Sequence, residues 1–255
     1  MEITFIGTGS GITQRLRFHT SLLVQNGYYN LLIDAGDGIA KALLYAGVKY
    51  NEIDAIFITH THADHFSGLA SLLTQMKFTR RKKPLLLFIH SELENFVIDY
   101  LRHLFLFPST FNFKLQIFGY KFGDEIEHAE NLKIVPLQNT HIKNKHNIKD
   151  ISELKFVSAS VLLKSNGVKV QYTSDVGAVS DLKLFTKFSP DYFISEATHI
   201  PFERIVEHIM QAKYKKSYFV HINNDDKIIE QHRKLSEEKR SKIIITFDGM
   251  KVKLT

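Results

Sequence analysis

The string His60-Thr61-His62-Ala63-Asp64-His65 sets three imidazoles and one carboxylate within six residues. Packed that closely, such groups repel or desolvate one another unless a cation sits among them. The chain has no cysteine, which excludes disulfides, iron–sulfur clusters, thiol nucleophiles and any zinc site with a sulfur ligand. Imidazole and carboxylate without sulfur suit Zn²⁺, Mn²⁺ or Fe²⁺. Three more polar residues follow apolar strand-like runs as the string does: His141 after Lys133–Thr140, Asp175 after the run ending at Tyr172, and His221 after Tyr218–Val220. Taken alone, each reads as a capping or surface group. Taken with the string, they complete five His and two Asp, the donor set for two metals about 3.5–4 Å apart sharing a hydroxide.

Those residues need elements to hold them. Ala55–Thr59 reads as a short buried strand running into the string, and Phe66–Phe78 as a helix with Leu69, Leu72, Leu73 and Met76 on one face. The donors therefore crowd the C-terminal edge of a sheet, where α/β folds bind ligands. Glu2–Ile6 reads as a strand, and Thr20–Gln25 with Asn30–Ile33 as a hairpin around Asn26-Gly27. Gly38–Ala46 reads as a helix ended by Gly47, Leu85–His90 as a strand, and Glu92–His103 as a helix. Phe113–Leu137 reads as strands separated by Gly119, Gly123 and Asn131, and His141–Asp150 as an exposed polar loop. A second hairpin is expected at Asn166-Gly167, between Phe156–Leu163 and Val168–Tyr172. Strand–helix alternation then resumes: Tyr192–Ile194, Phe202–Ala212, Tyr218–Val220, Lys227–Arg233 and Ile243–Thr246. Hairpins dominate each half and each half ends in βα units, without a linker or a repeat between them.

Composition bounds the rest. At 255 residues, 44% hydrophobic and 24% charged, the chain is neither disordered nor a membrane bundle. Length admits one large unit or two small ones; the missing linker favours a single unit over residues 1–255. The longest apolar runs, Leu85–Ile89 and Leu104–Phe107, are far short of the roughly 20 residues of a membrane span. Met1–Gly7 lacks the apolar stretch of a signal peptide. A cytoplasmic protein is expected. The net charge of +6 leans toward anionic partners, and equally describes a Lys-rich soluble surface. Arg15 and Arg17 could hold phosphates; Arg80–Lys83 reads as solvated surface. Gly7–Gly11 lacks the Lys-Ser/Thr of a P-loop and reads as a tight turn beside the metal mouth. Leu101–Phe107 reads as core or as a subunit contact.

In order and type, the seven donors resemble those of the metallo-β-lactamase-fold hydrolases, over nearly the whole chain. The resemblance implies an α/β fold: a four-layer αββα sandwich, two mixed sheets flanked by helices. It implies that His60, His62 and His141 hold one metal, that Asp64, His65 and His221 hold the other, and that Asp175 bridges them. Asp34 matches the aspartate that orients the first metal loop in that family, consistent with carboxylates fixing histidine tautomers. Ile6–Gly11, Asp34-Ala35-Gly36-Asp37-Gly38 and Gly68-Leu69 resemble the ribonuclease Z and phosphodiesterase branch. His62 argues against the flavin-diiron branch, which has a glutamate there. Two departures stand out. Ser195-Glu196-Ala197-Thr198-His199 carries serine where ribonuclease Z has the histidine of His-Glu-Ala-Thr, and the downstream His-Ser-Thr motif is missing. With no long insert to form an arm between His141 and Asp175, transfer-RNA 3′ processing is placed in doubt.

The expected cofactors are two divalent ions, zinc first, with manganese or iron as alternatives. The expected reaction is hydrolysis of a phosphodiester, in a small molecule, a cyclic phosphodiester or an RNA end, by a metal-bridging hydroxide. Asp64 would handle the nucleophile's proton and His199, four residues on from Ser195, would serve the leaving oxygen. The same centre could instead hydrolyse a lactone, ester or thioester, and a silent relative would only bind RNA or protein. A homodimer is implied by analogy with ribonuclease Z alone.

Overall fold

Along the strands, neighbouring apolar side chains are buried in different layers. Leu22, Val24, Leu31, Ile33 and Phe57 join one apolar layer, while Leu23, Leu32, Ile56 and Leu87 join another. With a side-chain period of two, such strands must be covered on both faces, and they are. The structure, a computed structural model, describes residues 1–129, 131–143 and 153–255.

The first half runs β1 (Glu2–Gly7), β2 (Ser21–Asn26), β3 (Tyr29–Ile33), α1 (Ile39–Tyr45), β4 (Ala55–Phe57), α2 (Ala63–Phe66), α3 (Leu69–Phe78), β5 (Leu85–His90), α4 (Glu94–His103) and β6 (Leu115–Tyr120). The second runs β7 (Ile126–Ala129), β8 (Leu132–Gln138), β9 (Ala159–Ser165), β10 (Val168–Tyr172), β11 (Tyr192–Glu196), α5 (Phe202–Gln211), β12 (Lys216–Val220), α6 (Asp225–Arg233), α7 (Glu237–Lys242), β13 (Ile243–Ile245) and β14 (Lys251–Lys253). One seven-stranded sheet has the order β14-β1-β2-β3-β4-β5-β6, and the other the order β13-β12-β11-β10-β9-β8-β7. Each is mixed: β14, β1, β2 and β3 pair antiparallel and β3 to β6 parallel, while β7 to β10 pair antiparallel and β10 to β13 parallel.

The layer between the sheets holds Phe5, Phe57, Tyr120, Val161, Tyr172, Ile194 and Tyr218. Phe57 stacks on Tyr120 at 4.7 Å. A second layer sets the first sheet against Leu43, Leu69, Leu73 and Val97 of the helices, and a third sets Phe193 and Phe219 against Phe202, Ile205 and Ile209 of α5. The expected αββα sandwich of two mixed sheets flanked by helices is what the chain forms.

The structure corrects several expectations. The helix expected over Phe66–Phe78 is two helices, broken at Ser67-Gly68. The strand expected to end at Gly119 continues through it as β6. Arg81 is fully buried, unlike exposed Arg80, Lys82 and Lys83: its guanidinium donates to the carbonyls of Tyr50, Ile53 and Pro84 and its Nε to Lys83. Leu101 and Leu106 are core, but Phe105 is 78% exposed, so the core reading fails for the middle of that stripe. His141 is buried rather than part of an exposed loop, and residues 144–150 of that loop lie outside the described ones. Among the described residues, no helix is long and apolar enough to cross a membrane.

Candidate metal centre

Strands of both sheets deliver their C-terminal ends to one edge. There β3 leads into Asp34, β4 into Thr59 and His60, β8 into Asn139 and His141, β10 into Ser174 and Asp175, and β12 into His221. Asp34, Ser174 and His221 have φ of 66°, 51° and 53°, so the backbone turns sharply where the sheet stops. Gly36 and Gly68 let the turns pack. A Cβ on Gly36 would overlap the Asp64 carbonyl oxygen, and one on Gly68 the Gly36 carbonyl oxygen. Ala35 N–H donates to the His65 carbonyl at 2.8 Å, tying the Asp34 loop to the histidine string.

All seven expected donors converge. His60, His62, His141 and Asp175 form one group whose ligand atoms lie within 4.8 Å of one another, and Asp64, His65, Asp175 and His221 form a second. Asp175 belongs to both. In the first group, His62 Nδ1 and His141 Nε2 face each other at 3.0 Å, and Asp175 Oδ2 lies 3.6 Å from His141 Nε2 and 4.0 Å from His60 Nε2. In the second, His65 Nε2 lies 3.3 Å from Asp175 Oδ1 and 3.5 Å from Asp64 Oδ2. His221 Nε2 lies 3.2 Å from Asp175 and 3.3 Å from Asp64. Ligands about 2.0–2.1 Å from one tetrahedral ion stand at this kind of separation.

The orphaned atoms test that fit. His60 Nε2, His65 Nε2 and Asp175 Oδ1 are buried and have no hydrogen-bond partner. Buried groups are seldom left so, and here the bare atoms face one another. Burial, and then the charge of His65, push His60 well below the usual imidazole range, so it keeps the lone pair a ligand needs. Burial works against charge on His65 too, but the Asp175 and Asp34 carboxylates outweigh it and hold His65 well above that range. The pocket demands positive charge, and the donor set suits a divalent cation. The mouth is a cavity of about 260 Å³ lined by Ser10, Gly11, Asp64, His199, His221 and Asn223 among others.

This architecture and donor set match known proteins. The family described as Anti-Pycsar protein Apyc1 matches residues 1–200. The chain belongs to the Apyc1 anti-Pycsar family. Ribonuclease Z of Aeropyrum pernix is 39% identical over 100 residues, covering 39% of this chain and 32% of that enzyme. Ribonuclease Z of Thermococcus sibiricus is 27% identical over 233 residues, covering 78% and 75%. Apyc1 of Paenibacillus harenae is 43% identical over 86 residues, covering 34% and 35%. The first and third matches thus span about a third of those relatives. The short form of human tRNase Z superposes with a TM-score of 0.75 at 18% identity over all of both chains. A diphosphatase of the PhnP family gives 0.71 at 19%, covering 100% and 98%. The expected metallo-β-lactamase fold, ribonuclease Z-like branch, is the one found.

In this Apyc1 family member the segment that departs from ribonuclease Z is informative. Ser195 is buried, donates to the Glu196 carbonyl at 3.0 Å and does not line the mouth. His199 does line it, between the rings of His141 at 4.7 Å and His221 at 5.3 Å. The Glu196 carboxylate, fully buried, accepts His199 N–H at 2.8 Å and stands 3.5 Å from His199 Nδ1. Glu196, His199 and His221 form a third donor group.

Further side chains brace the donors: Asp34, as the resemblance implied, and two that the sequence did not single out, Asn139 and Asp181. Asp34 accepts Thr59 N–H and His65 Nδ1–H, each at 2.8 Å, and the Thr59 hydroxyl besides. Asn139 joins two donors: its Oδ1 accepts His141 N–H at 3.1 Å and its Nδ2 donates to the Asp175 carbonyl at 2.9 Å. One oxygen of Asp181 accepts from Thr140 N, Thr140 Oγ1, Gly177 N and Ala178 N. Their only signal is a polar residue within a few positions of a donor. Arg17 does not reach for substrate; its guanidinium bonds Asp225 and the Thr246 carbonyl, each at 2.7 Å. Arg15 is exposed. Gly7–Gly11 is not the expected tight turn: Gly7 ends β1 and Gly9 bridges to His19 and Ile222, while Ser10 and Gly11 line the mouth, where a Cβ on Gly11 would lie 3.1 Å from Asp64 Oδ2.

Proposed function

We propose that this chain is a dinuclear metal-dependent phosphodiesterase, acting on a nucleotide, a cyclic phosphodiester or an RNA end. The observation that carries it is the pair of donor groups sharing Asp175, with bare buried ligand atoms beside an open mouth. His60, His62 and His141 would hold one ion, Asp64, His65 and His221 the other, and Asp175 both, with zinc the first candidate. Ions held there would supply hydroxide near neutral pH and draw charge from a phosphoryl oxygen.

The chain's own groups do the rest. Asp64 reaches the mouth with one carboxylate that faces both His65 and His221, and it would accept the attacking water's proton. Burial raises its pKa, but hydrogen bonds from His221 and His65 overcome that and hold it below the usual carboxylate range. His199 would donate a proton to the leaving oxygen; the Glu196 carboxylate holds its backbone N–H and lies 3.5 Å from its Nδ1. A second cleft of about 400 Å³ shares Thr198, His199 and Asn223 with the mouth and adds Asn224, Lys227 and Gln231. It offers amides and an ammonium to a nucleoside on the leaving side. The names of the ribonuclease Z and diphosphatase relatives support a phosphorus ester over an acyl one.

The test is turnover of bis(p-nitrophenyl) phosphate by metal-analysed protein, with Zn²⁺ and Mn²⁺ added separately. Two ions per chain and turnover are expected, with activity abolished in Asp64→Ala and the circular dichroism unchanged. His199→Gln should keep its metal and lose about 10²–10⁴-fold in kcat. Full activity in Asp64→Ala overturns the mechanism. No turnover with two ions bound transfers the reading to lactones and thioesters.

A further inference from the structure

A second, roomier cavity lies at the other end of the molecule. It lies where the chain enters β11 and β12, so it opens at the N-terminal edge of the second sheet and shares no residue with the metal mouth. Its volume, about 620 Å³, is in the range of small-molecule sites and well beyond what a bare inorganic anion fills. Lys183, Lys213 and Lys215 stand around it against one carboxylate, Asp191. That carboxylate is spoken for: Oδ2 accepts Lys169 N–H at 2.9 Å and Oδ1 lies 3.7 Å from Lys215 Nζ, which also donates to the Thr255 carbonyl at 2.9 Å. Among the described residues Lys183 and Lys213 make no ion pair.

Inward the cavity changes character. His208 and Tyr214 are buried in its wall, and the Tyr214 ring stacks on Phe193 at 4.9 Å. His208 Nε2 meets the Tyr214 hydroxyl at 2.9 Å, and that hydroxyl donates to Gln171 Oε1 at 3.4 Å. Burial, with a further push from the Lys183 ammonium, lowers His208 to about 4. At neutral pH the wall is therefore uncharged and aromatic, while the rim is cationic. A buried polar chain of this kind is costly to desolvate, and the metal centre makes no use of it.

We infer that this cavity is a second ligand site, for a small phosphomonoester with an aromatic or apolar body. Lys183 and Lys213 hold the phosphate at the rim beside Lys215, and the body lies against Tyr214 and His208. The inference does not depend on the reaction at the metal centre.

The probe is 5′-AMP, titrated calorimetrically at fixed ionic strength into metal-loaded protein, with adenosine and inorganic phosphate titrated in parallel. Lys183 and Lys213 are exposed, so the Lys183→Glu/Lys213→Glu variant folds, as its thermal transition will show. The expected result is 5′-AMP binding that survives in Asp64→Ala and weakens about tenfold or more in the lysine variant. Adenosine and inorganic phosphate should each bind far more weakly. Binding lost in Asp64→Ala and unchanged in the lysine variant would assign the nucleotide to the metal mouth and overturn the inference. So would the absence of 5′-AMP binding, or equal affinity for adenosine or for inorganic phosphate.

Discussion

Replacing Asp34 by asparagine swaps one carboxylate oxygen for NH₂ with almost no change of volume, yet it should disable one of the two donor groups. In the native chain Asp34 accepts Thr59 N–H through Oδ1 and His65 Nδ1–H through Oδ2. That second bond fixes the proton on Nδ1 and leaves Nε2 facing Asp64 and Asp175. An asparagine that still accepts from Thr59 must turn its NH₂ toward His65. The ring then carries its proton on Nε2, where a ligand's lone pair has to be. Flipping the amide restores the tautomer but sets NH₂ against Thr59 N–H, leaving a buried donor unsatisfied at about 1–3 kcal/mol. Either route should weaken ion binding by about 10–100-fold, equivalent to about 1.4–2.7 kcal/mol. The loss should fall on the Asp64, His65, Asp175 and His221 group. Asparagine also tolerates the 66° φ at this position, so backbone strain is not a rival explanation. Stepwise Zn²⁺ titration against a competing chelator resolves the affinities. If both remain within about twofold of the parent in a folded variant, the tautomer argument is wrong.

Three further outcomes follow from the same geometry. Gly36→Ala drives a methyl group into the Asp64 carbonyl; it should destabilise by about 1–3 kcal/mol and lower metal content, both measurable by chemical denaturation and metal analysis. Arg81→Met strands buried carbonyls of Tyr50 and Ile53 and should cost about 3 kcal/mol or more, with activity per bound metal unchanged. His208 is held at about 4 in the folded chain, against about 6.5 unfolded. Between those values the unfolded chain binds the extra proton, so this contribution is complete above pH 6.5 and lost as pH falls toward 4. His208→Gln should flatten the melting temperature over that window by close to one proton's worth.

How far the sequence could be read depended on whether a residue's role was local. The His60–His65 string, Asp175 and His221 were legible because each follows an apolar strand, and parallel strands must end at a common edge. Both Asn-Gly hairpins were legible because the turn is written in the dipeptide. Arg81 was not: a basic run looks solvated until the carbonyls of Tyr50 and Ile53, some thirty positions away, fold over it. Asn139 and Asp181 escaped for the same reason, since their partners sit on separate loops. The strand β14 was missed because Lys251-Val252-Lys253 has the polar dress of a sheet edge.

The three left-handed residues at the strand ends, Asp34, Ser174 and His221, also govern which sequences can drift into or out of this site. Such a φ is cheap for glycine, tolerable for Asp, Asn, Ser or His, and close to prohibitive for valine, isoleucine or threonine. Two of the three must also supply a particular polar atom, a carboxylate behind His65 and an imidazole beside Asp64. Backbone and chemistry therefore select from overlapping short menus, and few single substitutions satisfy both. Relatives that lose the ions should be free to explore the second menu while still obeying the first. Glycine or asparagine at these positions would then be the trace of an abandoned centre on an intact sandwich.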